Sequence, residues 1–255
     1  MSESSGPGGR RRGASTAGAW AREIAIVVVG ALLASTLLRL FLVQMFVIPS
    51  GSMENTLLID DRVAVQKVIG YARGDIIVFR DDLGWLPPSK VVDNPVRKAL
   101  IFVGLMPDES ANHLIKRLIG MPGDHVTCCD AQGRLSVNGV ALDEGSYLYS
   151  DPTTGRQVDP SSVAFDVVVP AGAVFVMGDH RNSSQDSRCH LADATDAAEG
   201  SNAFVPVSSI VGTGVAVVYP FERMRGLSRP PTFERVPAGQ SPPAQPVLTG
   251  PEVHC

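Results

Sequence analysis

The chain has 255 residues, 44% hydrophobic and 19% charged, a balance that excludes a long disordered or fibrous protein and leaves enough apolar chain for a core. With 25 glycines, 19 prolines and only 6% aromatic residues, turns and short strands are expected rather than a helix bundle. The formal charge of -4 is wrong for a protein whose main task is gripping phosphate backbones, so nucleic acid is not expected as a partner.

The charge is uneven. Residues 1–23 carry Arg10, Arg11, Arg12 and Arg22 against Glu3 and Glu23, whereas the chain after Ile48 is net acidic. Between them Ile24 to Ile48 is a mainly apolar run interrupted by only one charge, Arg39, and one amide, Gln44. As a helix this run spans roughly 37 Å, more than a hydrocarbon core of about 30 Å. A removable secretory signal has a shorter apolar core of about 7–15 residues and ends on small residues, whereas this run closes on Phe46-Val47-Ile48-Pro49. A retained transmembrane helix over 24–48 is therefore expected, and the positive-inside rule puts a basic tail, 1–23, in the cytoplasm and the remaining chain outside. No later apolar run reaches about 18 residues, so one crossing is expected.

Residues 49–227 read as one extracytoplasmic domain whose local signals are mainly β. Arg62 to Lys67 alternates, Asp75 to Phe79 is a short apolar run, and Leu135 to Leu142 contains the hairpin signal Asn138-Gly139. Val167 to Val169, Ala173 to Met177 and Ile210 to Tyr219 add strands. An insertion over 80–112 includes one helical pattern, Asn94 to Met106, which either packs on the core or touches the membrane surface. From Ser228 onward the chain is so proline-rich that 228–255 is expected to be a disordered tail. Cys128, Cys129 and Cys189 fall in the outer domain, where disulfides persist, and one bridge from Cys189 to either neighbour is expected.

Chemistry begins directly after the span, at Pro49-Ser50-Gly51-Ser52-Met53-Glu54-Asn55-Thr56-Leu57. Gly51 allows a tight turn beside Ser52 and Ser50 adds a second hydroxyl, but a serine hydroxyl needs a base. Of the histidines, His254 lies in the tail, and His113, His125, His180 and His190 have no evident triad partner; no metal-ligand spacing is present either. His113 to Gly120 reads instead as a strand, in which period 2 sets Lys116 on one face with Leu114 and Leu118. Burial there lowers an ammonium pKa and makes the neutral amine available as a base. For this segment alone the other reading is a surface lysine on an edge strand. Gly178 to Arg188, a dense alternation of acid, base and hydroxyl, is either a solvated turn or a shell that fixes a catalytic group.

Together PSGSMENTL at 49–57, GDIIVF at 74–79, IKRLIGMPGD at 115–124 and GDHRNSSQDSR at 178–188 resemble the four ordered boxes of bacterial type I signal peptidases, which follow an N-terminal anchor. The resemblance implies a mainly β, antiparallel catalytic domain and a Ser/Lys dyad, with Ser52 as nucleophile and Lys116 as general base. It further implies an oxyanion hole from Ser50 and the Ser52 amide, Ser184 as the hydroxyl that orients the lysine, and supporting ion pairs Asp186 with Arg188 and Asp179 with Arg117. Shallow substrate pockets for small side chains would be lined by Ile48, Pro49, Met53, Leu57 and Leu114. Two residues depart from the pattern: Leu114 stands where Tyr is frequent, and His180 where Asn is frequent. The implied reaction cuts signal peptides from secreted preproteins at the bacterial cell membrane, in contact with the lipid bilayer and the export translocase, without metal or cofactor. A specialised pilus or conjugation processing peptidase, a self-cleaving repressor domain and an inactive membrane scaffold are the alternatives, and the anchor counts against the repressor.

Overall fold

In the computed structural model the described residues are 13–87, 94–96, 112–193 and 199–249. The apolar run begins as expected, in a helix α1 (Gly13–Phe41) whose side chains at Ile24, Ile26, Val27 and Leu33 are exposed. Gly18–Thr36 is long and apolar enough to cross a membrane.

The expected span over 24–48 is too long at its end. The helix stops at Phe41, and β1 (Val43–Val47) follows. Apolar content alone does not separate a helix end from a strand, but Val43-Gln44-Met45-Phe46-Val47 carries the period of a strand with one face half-buried. It pairs antiparallel with β2 (Arg62–Gln66), Val43 opposite Gln66 and Val47 opposite Arg62.

The remaining strands are β3 (Ile76–Arg80), β4 (His113–Gly120), β5 (His125–Cys128), β6 (Ser136–Val137), β7 (Val140–Ala141), β8 (Phe165–Val168) and β9 (Ala173–Met177), followed by β10 (Val205–Pro206), β11 (Ile210–Tyr219), β12 (Arg225–Gly226) and β13 (Val247–Leu248). The larger sheet runs β1-β2-β11-β3-β4-β9-β10, with β12 beside β11, and the smaller runs β13-β8-β5-β6-β7. Every pairing among them is antiparallel. Most predicted strands stand where the pattern put them. The helical pattern at Asn94 to Met106 lies outside the described residues except for Asn94–Val96, as does most of the 80–112 insertion.

Three apolar clusters hold these layers. Strand β3 separates two of them. Ile76 and Val78 join Ile48, Met53, Leu57, Val63 and Ile115, while Ile77 and Phe79 join Trp85, Leu118, Val174 and Val176. Both faces of this central strand are therefore buried, which explains its continuous apolar sequence. The third cluster lies under the smaller sheet, around Val126, Leu135, Val167 and Phe175, and it includes Phe233 and Val236.

Those last two residues correct the expected disordered tail. Residues 228–249 pack along the domain, through a helical turn at Pro231–Arg235 and through β13, which pairs with β8. Proline does prevent this segment from forming a core of its own. It buries Phe233 and Val236 against a surface already built. The cysteine expectation is also corrected. Cys128 and Cys129 are joined to each other, and Cys189, which is disulfide-bonded as well, has neither of them as partner. Strand β5 ends at Cys128, so the alternation that would have turned Cys128 and Cys129 to opposite faces does not continue.

Candidate active site

Past β1 the chain is pinned at Ile48, whose N–H donates to Asp61 O at 2.9 Å and whose carbonyl accepts from Asp60 N–H at 2.9 Å. One helical turn follows at Gly51–Met53, closed by Glu54 N–H donating to Gly51 O at 3.0 Å. At Gly51 the Glu54 carboxylate folds over the turn, 2.8 Å from where a Cβ would stand, so a side chain there would have to push that carboxylate aside. Met53 and Leu57 are fully buried and anchor the turn from within. Ser52 is thereby held on a short, tightly fixed loop, with 6% of its surface exposed.

The lysine comes from β4, which lies between β3 and β9 rather than at an edge. Ile77 stands directly opposite Lys116, and Phe79 opposite Leu114, so the face carrying Lys116 is lined with apolar side chains. Lys116 is 3% exposed, and its Nζ lies 2.7 Å from Ser52 Oγ. Desolvation lowers its pKa from 10.5 to about 8; the Asp186 carboxylate opposes this, Arg188 reinforces it, and Asp179 opposes it. The neutral amine is therefore far more accessible than in an exposed lysine.

Gly178, at the end of β9, fits between the dyad and its supports. Its N–H donates to Asp186 Oδ2 at 2.9 Å and its carbonyl accepts from Arg181 Nε at 2.9 Å. A Cβ here would lie 2.5 Å from Ser52 O and 2.2 Å from Ser184 Oγ. Two residues on, His180 N–H donates to Ser52 O at 3.1 Å.

Both expected ion pairs are formed and buried. Arg188 donates through Nε and Nη2 to the two Asp186 oxygens, each at 2.9 Å. Arg117 grips Asp179 at 2.7 and 2.6 Å, and its Nη1 donates to Gly74 O at 2.6 Å. Asp179 also accepts from the Thr56 hydroxyl, which ties the nucleophile loop to β4. The Asp186 pKa is lowered: burial alone would raise it, and Arg188 reverses that effect.

The other expected roles fare differently. Lys116 Nζ directs its hydrogen bond to Ser52 Oγ, while Ser184 Oγ is buried without a hydrogen-bond partner among the described residues, so the expected Ser184–Lys116 bond is not formed here. Ser50 precedes the helical turn, is exposed, and makes no side-chain capping bond. Ile48, Met53 and Leu57 are brought together in one cluster beside Ser52, with Pro49 exposed; Leu114 packs in the neighbouring cluster.

Several contacts around the site had no signal in the sequence. Arg181 pairs with Glu144, Tyr147 donates its hydroxyl to Glu144, and the Tyr147 ring lies 4.3 Å below the Arg117 guanidinium. Glu144 and Arg181 stand far apart in the chain, and only the fold joins them. His180 has a carboxylate partner after all: its Nδ1 lies 2.9 Å from Glu54 Oε2, and its ring stacks on Tyr149 at 3.8 Å. Yet Ser52 Oγ takes its hydrogen bond from the lysine.

Comparison with known proteins places the chain in a family. Residues 20–219 match the family described as signal peptidase, peptidase S26. Signal peptidase I of Mycobacterium tuberculosis is 36% identical over 225 residues, covering 79% of this chain and 74% of that protein. Signal peptidase I S of Bacillus subtilis is 33% identical over 214 residues, covering 81% and 91%. A crystal structure of a signal peptidase I from Enterococcus faecalis matches 57% of this chain and 97% of that one, at 27% identity and a TM-score of 0.35. With its boxes in order and its matched region running from within α1 to the end of β11, the chain belongs to the S26 family of signal peptidases.

Proposed function

We propose that this protein is a single-pass membrane peptidase that removes N-terminal signal peptides from exported preproteins with a Ser52–Lys116 dyad. The observation that carries the reading is the 2.7 Å approach of a buried, pKa-lowered lysine amine to the Ser52 hydroxyl. In its neutral form Lys116 accepts the Ser52 proton as Oγ attacks the scissile carbonyl. The negative charge that develops on the carbonyl oxygen is met by the Ser52 N–H and the Ser50 hydroxyl. The Lys116 ammonium then gives its proton to the departing amine, leaving the signal peptide esterified to Ser52. Neutral again, Lys116 takes a proton from water as the water oxygen attacks the ester. The ammonium returns that proton to Ser52 Oγ as the C–O bond breaks, freeing the signal peptide and restoring the neutral lysine and the serine hydroxyl.

The anchor supports the same reading. Helix α1 ends only a short strand before Ser52, which keeps the nucleophile near the bilayer surface where signal peptides terminate. The basic residues Arg10, Arg11, Arg12 and Arg22 orient the N-terminus to the cytoplasm and the catalytic domain to the outer side, where the translocase delivers its clients. Ser184 orients the lysine once substrate is bound, and Ile48, Pro49, Met53, Leu57 and Leu114 shape the shallow pockets for small side chains before the cut.

The test is cleavage of a preprotein by the full-length protein in detergent, with products identified by mass. A single new N-terminus at the signal-peptide junction is expected, absent with Ser52→Ala. Equal cleavage by Ser52→Ala would overturn the reading.

A further inference from the structure

The matched family region stops at residue 219, and the chain beyond it holds the least expected packing in the molecule. Residues 228–249 form a strap across the domain, fastened at several points. Arg229 donates to both Asp75 oxygens at 3.0 Å, and the Thr232 hydroxyl accepts from Asp143 N–H at 2.8 Å. Further on, Gln240 N–H donates to Gly123 O at 3.0 Å, Ala171 N–H donates to Pro243 O at 2.8 Å, and Thr249 N–H donates to Asp166 O at 2.8 Å.

One of its residues faces the catalytic machinery. Phe233 is 4% exposed and its ring rests directly on Gly74, where a Cβ would come 2.5 Å from Phe233 Cδ2. Gly74 has a φ of 87°, in the left-handed region, so glycine is required there by both conformation and space. The peptide groups at Gly74 and Asp75 are bonded to β4: Gly74 N–H donates to Leu118 O at 2.7 Å, and Leu118 N–H donates to Asp75 O at 2.8 Å. That is two residues past Lys116. The Gly74 carbonyl is also the acceptor for Arg117, which holds Asp179 and through it Thr56 on the nucleophile loop. Tyr147, beneath the same guanidinium, stacks on Phe233 with ring centroids 6.2 Å apart.

We infer that Phe233 is a positioning residue for the dyad, supplied by a segment outside the family's matched region. By filling the space over Gly74 and against Tyr147, it fixes the carbonyl and the ring between which the Arg117 guanidinium is set. The Arg117–Asp179–Thr56 chain then holds β4, with Lys116, in register with the loop carrying Ser52. Arg229 acts with it by clamping the neighbouring Asp75. The inference rests on the dyad reading of the site, and it assigns to the strap a part in turnover as well as in stability.

The test uses the full-length protein in detergent and measures kcat, KM and melting temperature for Phe233→Ala, Phe233→Leu and Arg229→Gln. Active sites are counted from the amplitude of acyl-enzyme formation. For Phe233→Ala, kcat per active site should fall by about tenfold while KM changes by less than about twofold, because geometry around the reacting atoms is lost and substrate pockets are not. Phe233→Leu should restore part of kcat, and Arg229→Gln, a change at a half-exposed side chain that leaves the core intact, should lower it in the same direction by a smaller factor. Wild-type turnover per active site in both Phe233→Ala and Arg229→Gln, with only a lower melting temperature, would make the strap a staple and overturn the inference. Wild-type and Ser52→Ala proteins run in the same assay report on the dyad separately.

Discussion

The Cα of Gly178 lies against the carbonyl oxygen of Ser52, so closely that a single added methyl would sit 2.5 Å from that oxygen. Backbone cannot retreat as a flexible side chain can, and the Ser184 hydroxyl closes the other side at 2.2 Å. Gly178→Ala should displace the nucleophile, lowering kcat by about a hundredfold or more, and overpacking should cost about 1–3 kcal/mol in denaturant unfolding. Wild-type kcat in this variant would mean that the Ser52 turn is not held by this contact.

Because attack requires neutral Lys116, kcat/KM should rise with pH through the lysine's pKa of about 8. The two charges beside it allow the sign to be tested. Asp186 favours the ammonium, so Asp186→Asn should lower the lysine pKa and move the acid limb toward lower pH. Arg188 disfavours it, so Arg188→Gln should move the limb toward higher pH. Asparagine keeps an oxygen for the Gly178 N–H, whose present acceptor is Asp186 Oδ2. Limbs that move in one common direction, measured on folded protein, would show that these charges do not act on the base.

Much of this site was legible in the sequence, for identifiable reasons. Lys116 was legible through its box rather than through its strand, where a surface lysine on an edge was the other reading; the fold instead places β4 between β3 and β9, which buries the lysine. The boundary at Phe41 was not legible, since hydropathy is shared by a helix end and by Val43–Val47, and only pairing with β2 distinguishes them. The strap was missed because its prolines exclude an independent fold, whereas Phe233 and Val236 need only a groove made by other elements. Glu144 was missed because its partner Arg181 is distant in sequence and nothing local to either residue names the other.

That missed pair leads to a stability expectation. Glu144 and Arg181 are both buried, and Arg181 also donates to Gly178 O and Pro160 O. Glu144→Ala strands a guanidinium without its carboxylate and should cost about 3–5 kcal/mol in urea unfolding. Glu144→Gln, which keeps an acceptor oxygen, should cost less. Equal losses in the two variants would assign the effect to packing rather than to charge.

Ser184 should separate stability from turnover. Its Oγ is buried with no hydrogen-bond partner among the described residues, so Ser184→Ala removes an unsatisfied group and should leave stability unchanged or slightly higher. If the hydroxyl orients Lys116 when substrate is bound, kcat should nevertheless fall by about tenfold or more. Unchanged kcat would remove Ser184 from the catalytic group.

The most direct test of the Ser/Lys chemistry is preprotein cleavage by Lys116→Arg, followed over the full pH range in which the protein stays folded. Arginine keeps the positive charge and much of the length, but it remains protonated and cannot accept the Ser52 proton. No cleavage at any pH is expected, with the wild-type protein active and rising through a lysine pKa of about 8 in the same assay. Cleavage by Lys116→Arg that still depends on Ser52 would contradict the account, because another group would then be the base.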